Sequence, residues 1–288
     1  MVACGLVFDC LGCLDGAEQQ ILTENQRNGA CSKNHYEDTH GLLIASVSTK
    51  YQWELMKFSS KLQEARLVRR YKRFLADIEH PDGTISTIHC PNSGSMLGCA
   101  EPGSRVRYST SDNPERKYPH TLEMVESAGV WVGVNTMLTN QIVAEAFQAG
   151  TIDGYRDFSA LRHEVKTSAH SRLDLLLEYD SGKKTYIEIK NCSLVMDGWA
   201  QFPDGVTARG TKHLKELRSL VEQGHEALIF FLVQRADGHQ FKPAAFIDPL
   251  YAQTLAQVVG LGVKVLVYQA AVGKEGISVS VQLPYSLD

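Results

Sequence analysis

Beyond residue 55 the apolar positions follow two different periods. From Arg66 to Val134 they come in short runs separated by turn residues. Phe74, Ala76 and Ile78 alternate with Arg73, Leu75 and Asp77, which predicts a first strand over Arg66–Glu79. His80-Pro81-Asp82-Gly83 reads as a turn, because Pro pre-sets φ and Gly accepts a positive one. Ile85–Cys90 then returns as a second strand. After the turn Pro91-Asn92-Ser93-Gly94, strands are predicted at Arg105–Tyr108, Thr121–Glu126 and Val130–Val134. Short strands with Gly-rich turns favour closure, which removes sheet edges, so the segment 56–137 reads as a five-stranded OB-like β barrel.

From residue 138 the pattern becomes α/β. Asn140–Ala149 carries a helical stripe of Ile142, Val143, Ala146 and Phe147, with Gly150 as its stop. Three strands follow at His163–Thr167, Arg172–Glu178 and Lys184–Asn191, the last two joined by Ser181-Gly182. Gly210–Glu222 is an amphipathic helix with Leu214, Leu217, Leu220 and Val221 inward. Ala227–Val233 is a continuous apolar run, as a strand covered on both faces should be. Pro249–Val259 reads as a helix, Val263–Tyr268 as a strand and Ile277–Leu283 as an edge strand. Residues 138–288 are therefore expected to form a mixed sheet with helices packed on it, and the whole is of the α/β (α+β) class.

Residues 1–55 show neither period. They hold four of the seven cysteines, Cys4, Cys10, Cys13 and Cys31. The stretch is a poor signal peptide, with no basic start and with Asp9 interrupting its apolar run. Val2-Ala3-Cys4 lacks the hydrophobic region that precedes a lipoprotein box. Cys10-x-x-Cys13 with Cys31, His35 and His40 invites a zinc reading, but the second pair is badly spaced and no strand–turn–helix pattern surrounds it. The segment reads as a flexible extension, with Met56 beginning the folded protein. Cys90, Cys99 and Cys192 are scattered and fit reduced thiols in a cytoplasm.

Composition changes the picture only through its distribution. The chain of 288 residues is 43% hydrophobic and 22% charged, which excludes disorder. No apolar run approaches the ~18–20 residues of a membrane-spanning helix, so no membrane partner is expected. The net charge of −4 argues against an electrostatic nucleic-acid binder. Yet residues 1–55 hold Arg27, Lys33 and Lys50 against seven acidic residues, and the remainder carries 26 charges of each sign. Within that neutral body Arg66, Arg69, Arg70, Lys72 and Arg73 lie together with Tyr71 and Phe74 among them, and Arg116-Lys117-Tyr118 repeats the theme. Cations track phosphates and rings stack on bases, so this is a candidate nucleic-acid surface; a charged, aggregation-resistant strand edge is the alternative.

The carboxylates of the three-strand meander are the candidate chemistry. In Tyr186-Ile187-Glu188-Ile189-Lys190 strict alternation sends Glu188 and Lys190 to one face, and Asp174 lies on the neighbouring strand. Two hard oxygen ligands suit Mg²⁺, which keeps waters and takes further ligands from substrate phosphate. Glu145 on the preceding helix is a candidate third acidic ligand. The cation would activate a bound water, and Lys190 would orient it or stabilise the transition state. A plain cross-strand ion pair between Asp174 and Lys190 is the competing reading, and Glu164-Val165-Lys166 has the same shape without an acidic partner.

Several long stretches stand out, namely Arg70-Tyr71-Lys72-Arg73-Phe74-Leu75-Ala76-Asp77, His89-Cys90-Pro91-Asn92-Ser93-Gly94-Ser95-Met96, Ser109-Thr110-Ser111-Asp112-Asn113 and Arg116-Lys117-Tyr118-Pro119-His120-Thr121. Further on come Ser171-Arg172-Leu173-Asp174, Tyr186-Ile187-Glu188-Ile189-Lys190 and the stretch from Phe202 to Leu214. In this order they resemble the bacterial sugar fermentation stimulation protein A family. The resemblance spans about residues 56–288 and leaves 1–55 without a counterpart. It implies an OB-like domain followed by a restriction-endonuclease-like domain, with the nuclease-type positions at Asp174, Glu188 and Lys190. It also implies DNA binding and a regulatory role in sugar (maltose) utilisation. Arg209 and Lys212, at the start of a helix, are a candidate phosphate site, since a helix N-terminus and two cations both favour anions; a capped helix with a solvated first turn is the alternative. Two functions remain in view, a Mg²⁺-dependent phosphodiesterase and a DNA-binding regulator that keeps the fold without chemistry. A carbohydrate-binding OB module is the third.

Overall fold

The structure is a computed structural model and describes residues 56–168 and 171–287. The extension expected over 1–55, with its cysteines, lies outside the described residues. Strands β1 (Met56–Lys57), β2 (Gln63–Tyr71), β3 (Leu75–Glu79), β4 (Ile85–His89), β5 (Arg105–Thr110), β6 (His120–Ser127) and β7 (Val130–Gly133) come first. A short 3₁₀ turn at Thr136–Leu138 leads into helix α1 (Thr139–Gln148). Then follow β8 (Ala160–Ser168), β9 (Ser171–Glu178), β10 (Lys184–Cys192), β11 (Leu194–Met196), β12 (Trp199–Phe202), α2 (Ala208–Glu222), β13 (Glu226–Val233), β14 (Gln240–Pro243), α3 (Pro249–Gly260), β15 (Lys264–Val272) and β16 (Gly276–Gln282).

The barrel is an OB-like closed sheet in the order β4-β3-β2-β5-β6, closed by a parallel pairing of His89 with Thr121, with β7 added at the edge beside β6. It differs from expectation in one place. The predicted strand Arg66–Glu79 is a hairpin, β2 and β3, turning at Lys72 and Arg73. Both residues have positive φ, 49° and 61°, a conformation usually signalled by Asn or Gly. Two cations occupy it instead, so the turn left no mark in the sequence. Ala65, Leu67, Ala76, Ile78, Ile88, Val106, Tyr108 and Leu122 fill the barrel interior.

The second domain is a seven-stranded mixed sheet in the order β1-β16-β15-β13-β10-β9-β8. The β10–β13 and β13–β15 pairs are parallel and the rest antiparallel. β16 is not an edge, because Met56 and Lys57 pair with Ile277 and Gly276 and cover it. The apolar run of β13 is explained by two cores. Leu228, Phe230 and Leu232 face Ile142, Val143 and Phe147 of α1. Ile229, Phe231 and Val233 face Leu214 and Leu217 of α2 and Tyr251 and Leu255 of α3. Each such side chain contributes about 1.5–3 kcal/mol when fully buried. β11, β12 and β14 form a small extra sheet that the sequence pattern did not reveal, being three or four residues each.

The two long helices of this face are fixed at their starts. Thr207 Oγ1 accepts the Gly210 N–H at 3.0 Å and caps α2. Asp248 caps α3 by accepting the Tyr251 N–H at 2.9 Å, and its other oxygen accepts the Thr207 N–H at 2.8 Å. One carboxylate thus ties the two caps together. Barrel and sheet belong to one compact unit. No helix among the described residues is long and apolar enough to cross a membrane.

Candidate functional site

The β9–β10 ladder runs from Lys184 opposite Glu178 to Ile187 opposite Leu175 and stops there. Asp174 comes next, and its side chain replaces the missing rung. Oδ2 accepts the Ile189 N–H at 2.7 Å, and Oδ1 accepts from Asn140 Nδ2 at 2.9 Å. Leu175 and Leu177 pack in the core beneath α1, whereas Leu173 packs in the core beneath α2. The strand therefore changes face at Asp174.

Alternation along β10 buries Ile187 and Ile189 against α1 and leaves Glu188 towards α2. Glu188 is 2% exposed. Its Oε1 accepts from Lys190 Nζ and from His213 Nδ1. Arg209 Nε approaches the other ring nitrogen of His213 as a donor at 3.5 Å, which agrees with a proton on Nδ1. Glu188 Oε2 is buried and has no protein partner. The ion pair of this site is thus Lys190–Glu188, two residues apart on one strand face, and not the Asp174–Lys190 pair of the competing reading.

The two carboxylates titrate differently. Burial, then the neighbouring Glu188 charge, holds the Asp174 carboxyl above its usual range, although Ile189 and Lys190 oppose the rise. Burial acts the same way on Glu188, but Lys190 and His213 outweigh it and leave that carboxyl below its usual value. Glu188 is the secured negative charge, and Asp174 carries a second one in a place that resists it.

This donor set fits a hard divalent cation: two neighbouring carboxylates and one oxygen without a protein partner. It is not a closed cage, for among the described residues no group of three or more His, Cys, Asp or Glu has metal-binding geometry. Helix α1 brings Asn140, not Glu145, to the carboxylates. Glu145 lies five residues further on and accepts from Gln141 Nε2 at 2.8 Å.

A cleft of about 660 Å³ opens beside Asn140 and Lys190 and runs to the barrel, where Arg70, Arg73 and Ser95 form its wall. Its floor is clamped. Asp204 Oδ2 accepts the Met96 N–H at 2.8 Å, and Ser95 Oγ donates to the Asp204 carbonyl. A Cβ on Gly94 would stand 2.7 Å from Asp204 Oδ2, so the close approach of the two loops requires glycine.

The expected nucleic-acid cations are placed unequally. Arg70 donates to the carbonyls of Arg73, Asn92, Gly94 and Ser95 and organises the loop that lines the cleft. Arg69 pairs with Asp77 at 2.7 Å. Lys72 and Arg73 form the exposed hairpin tip, with Arg73 on the cleft. Arg116 donates to Thr121 Oγ1 at 3.1 Å, and Lys117 lies over the Tyr118 ring. Arg209 and Lys212 border a second cavity. Sequence reasoning missed Asn140 and His213. The available signal for His213 was a histidine beside Leu214 on the inward stripe of an amphipathic helix.

Comparison with known proteins agrees with this architecture. A family model described as the sugar fermentation stimulation protein RE domain matches residues 137–276, and one described as the SfsA N-terminal OB domain matches residues 68–134. The sugar fermentation stimulation protein homolog of Desulfotalea psychrophila is 55% identical over 217 residues, covering 75% of this chain and 92% of the relative. That of Citrifermentans bemidjiense is 48% identical over 232 residues, covering 81% and 100%. The chain belongs to the sugar fermentation stimulation protein family. The structure of Pyrococcus furiosus SfsA in complex with Ca²⁺ shares the fold, with a TM-score of 0.74 at 24% identity over 81% of this chain and 98% of that one. In this family member the RE domain corresponds to the seven-stranded mixed sheet, and Lys190, on the same strand as Glu188, lines the cleft that reaches the OB barrel.

Proposed function

We propose that this family member binds DNA and hydrolyses phosphodiester bonds in its RE domain with a divalent cation, Mg²⁺ in the cell. The observation that carries the reading is the Asp174–Glu188 pair, which stands side by side in a buried site with Glu188 Oε2 lacking a partner. The Ca²⁺ bound by the Pyrococcus furiosus relative supports a divalent site in this fold. Asp174 and Glu188 would hold the cation, which when bound supplies Lewis-acid polarisation of phosphate and a water of lowered pKa.

The rest of the chemistry belongs to the chain. Asn140 and the Ile189 N–H fix the Asp174 carboxylate, and His213 fixes that of Glu188. Lys190 lines the cleft next to Glu188 and neutralises charge that develops on a phosphoryl oxygen. The cleft takes the strand, with Lys72 and Arg73 at the β2–β3 hairpin tip and Arg116 and Lys117 on the β5–β6 loop tracking its phosphates. The family name points to sugar fermentation as the process served by this binding. The buried thiols of Cys90, Cys99 and Cys192 are free, which suits a reducing cytoplasm.

One observation favours the second reading, a DNA-binding regulator without chemistry. Both Asp174 oxygens and Glu188 Oε1 already have protein partners, so the fold neutralises much of the site by itself. Calorimetric titration with Mg²⁺ and Ca²⁺ separates the two. Binding by the wild type that disappears in Glu188→Gln supports the phosphodiesterase. No cation binding, with DNA affinity intact, leaves the regulator.

A further inference from the structure

The second cavity, of about 440 Å³, is lined by Lys166, Ser168, Ser171, Arg172, Arg209, Lys212 and His213. Four cations from two separate elements converge there, two from the β8–β9 hairpin and two from the start of α2, and among the described residues no carboxylate lines the wall. Lys166 and Arg172 are direct cross-strand partners. Like charges placed opposite each other on one sheet face destabilise the pair, so this arrangement costs stability unless an anion joins it. Glu164 meets Arg172 only at 3.7 Å with both side chains two-thirds exposed, a pair worth little.

A second, independent observation points the same way. Ser171 is 6% exposed, and its hydroxyl is buried without a hydrogen-bond partner. A buried hydroxyl left unpaired costs free energy, and an oxyanion in the cavity would pair it. His213 belongs to both sites: it lines this cavity and bonds Glu188. An anion held here stands one imidazole ring from the Glu188 carboxylate.

The geometry points to a phosphate subsite at this cavity that takes a second phosphate group of the nucleic-acid strand whose reacting phosphate lies at Asp174 and Glu188. This inference rests on the proposed function for the strand, but not for the pocket. The phosphate is either an internal phosphodiester or a terminal monoester, and both have the chemistry that Arg172, Arg209 and the Ser171 hydroxyl recognise.

Anisotropy measurements with oligonucleotides bearing a 5′-phosphate, a 3′-phosphate or neither test it, across a range of salt. Arg172→Ala and Arg209→Ala are expected each to weaken binding about tenfold, the size of one charge-assisted contact. Each should also lower the salt slope by about one, whereas the remote exposed Lys274→Ala leaves both unchanged. A loss on every oligonucleotide assigns an internal phosphate, and a loss confined to one phosphorylated end assigns that terminus. Wild-type affinity and slope in both variants on all substrates would overturn the subsite. Should the wild type bind no nucleic acid, the proposed function fails, and titration with inorganic phosphate decides the pocket. Binding to the wild type that is absent from the double variant Arg172→Ala/Arg209→Ala then upholds an anion site, and no binding to the wild type overturns it.

Discussion

The carboxylate of Asp174 accepts the backbone N–H of Ile189 at 2.7 Å, at the point where the β9–β10 ladder ends. The side chain thereby does two things. It satisfies a buried donor that the diverging strands leave open, and it sets a carboxylate beside Glu188. Substitutions separate these roles. Asp174→Ala leaves the Ile189 N–H and the Asn140 amide without partners and is expected to cost about 1–3 kcal/mol. Asp174→Asn keeps an acceptor for Ile189, offers an NH2 that the Asn140 amide can accept by turning its oxygen inward, and removes a charge that burial disfavours, so its stability at neutral pH should equal or exceed that of the wild type. Both variants should lose cation binding. Urea unfolding with calorimetry reads the two effects, and equal destabilisation by Ala and Asn would contradict the argument.

His213 acts through Glu188. Its Nδ1 contact orients the carboxylate that the proposed cation needs, and removing such a supporting partner typically weakens metal binding about 10–100-fold. His213→Ala should therefore lower Ca²⁺ affinity by that factor, as measured by calorimetry. Unchanged affinity would reduce His213 to a packing residue.

The β2–β3 hairpin trades stability for charge. Lys72 and Arg73 occupy the left-handed region, which disfavours side chains by roughly 1–2 kcal/mol per residue. Replacing them with Asn-Gly, the residues this turn prefers, should raise barrel stability by about 1–2 kcal/mol. The same change should lower the salt slope of DNA binding by about two. A more stable protein with an unaltered slope would show that the tip does not meet phosphate.

Glu123 gives a pH signature within the barrel. Burial raises its carboxyl above the usual value, although Ser109 and Asn135 bond its two oxygens at 2.6 and 2.8 Å and oppose the rise. A folded-state pKa above the unfolded one means that its contribution to stability is full below the ordinary carboxyl range. That contribution is lost as pH rises through the raised value. Glu123→Gln should therefore gain stability relative to the wild type as pH goes from about 4 to about 8. A pH-independent difference between the two unfolding curves would refute this.

The sequence made the core and part of the site legible for physical reasons. Ala227–Val233 could be read because a strand with two covered faces has no polar position to spend, and both cores now account for it. Glu188 and Lys190 could be read because strict alternation separates them from Ile187 and Ile189. The turn at Lys72-Arg73 could not, since the tertiary fold holds two bulky cations where local preference asks for Asn or Gly. Arg69 and Arg70 looked like phosphate ligands from their clustering, yet Asp77 and the carbonyls of the 92–95 loop engage them, contacts that only the folded barrel creates. His213 reaches Glu188 from 25 residues away, through the packing of α2 on the sheet, and no local period encodes that distance. Asn140 and Glu145 share one helix, and only the angle at which α1 crosses β9 decided which of them met Asp174.

The most direct measurement is cleavage. DNA and RNA of several structures are incubated with the protein and Mg²⁺ or Mn²⁺, beside Asp174→Ala, Glu188→Ala and a chelated control. The expected result is cation-dependent cleavage of DNA by the wild type that both substitutions and chelation abolish. Intact substrates under all conditions, with DNA still bound, would contradict it, as would cleavage that persists in both variants.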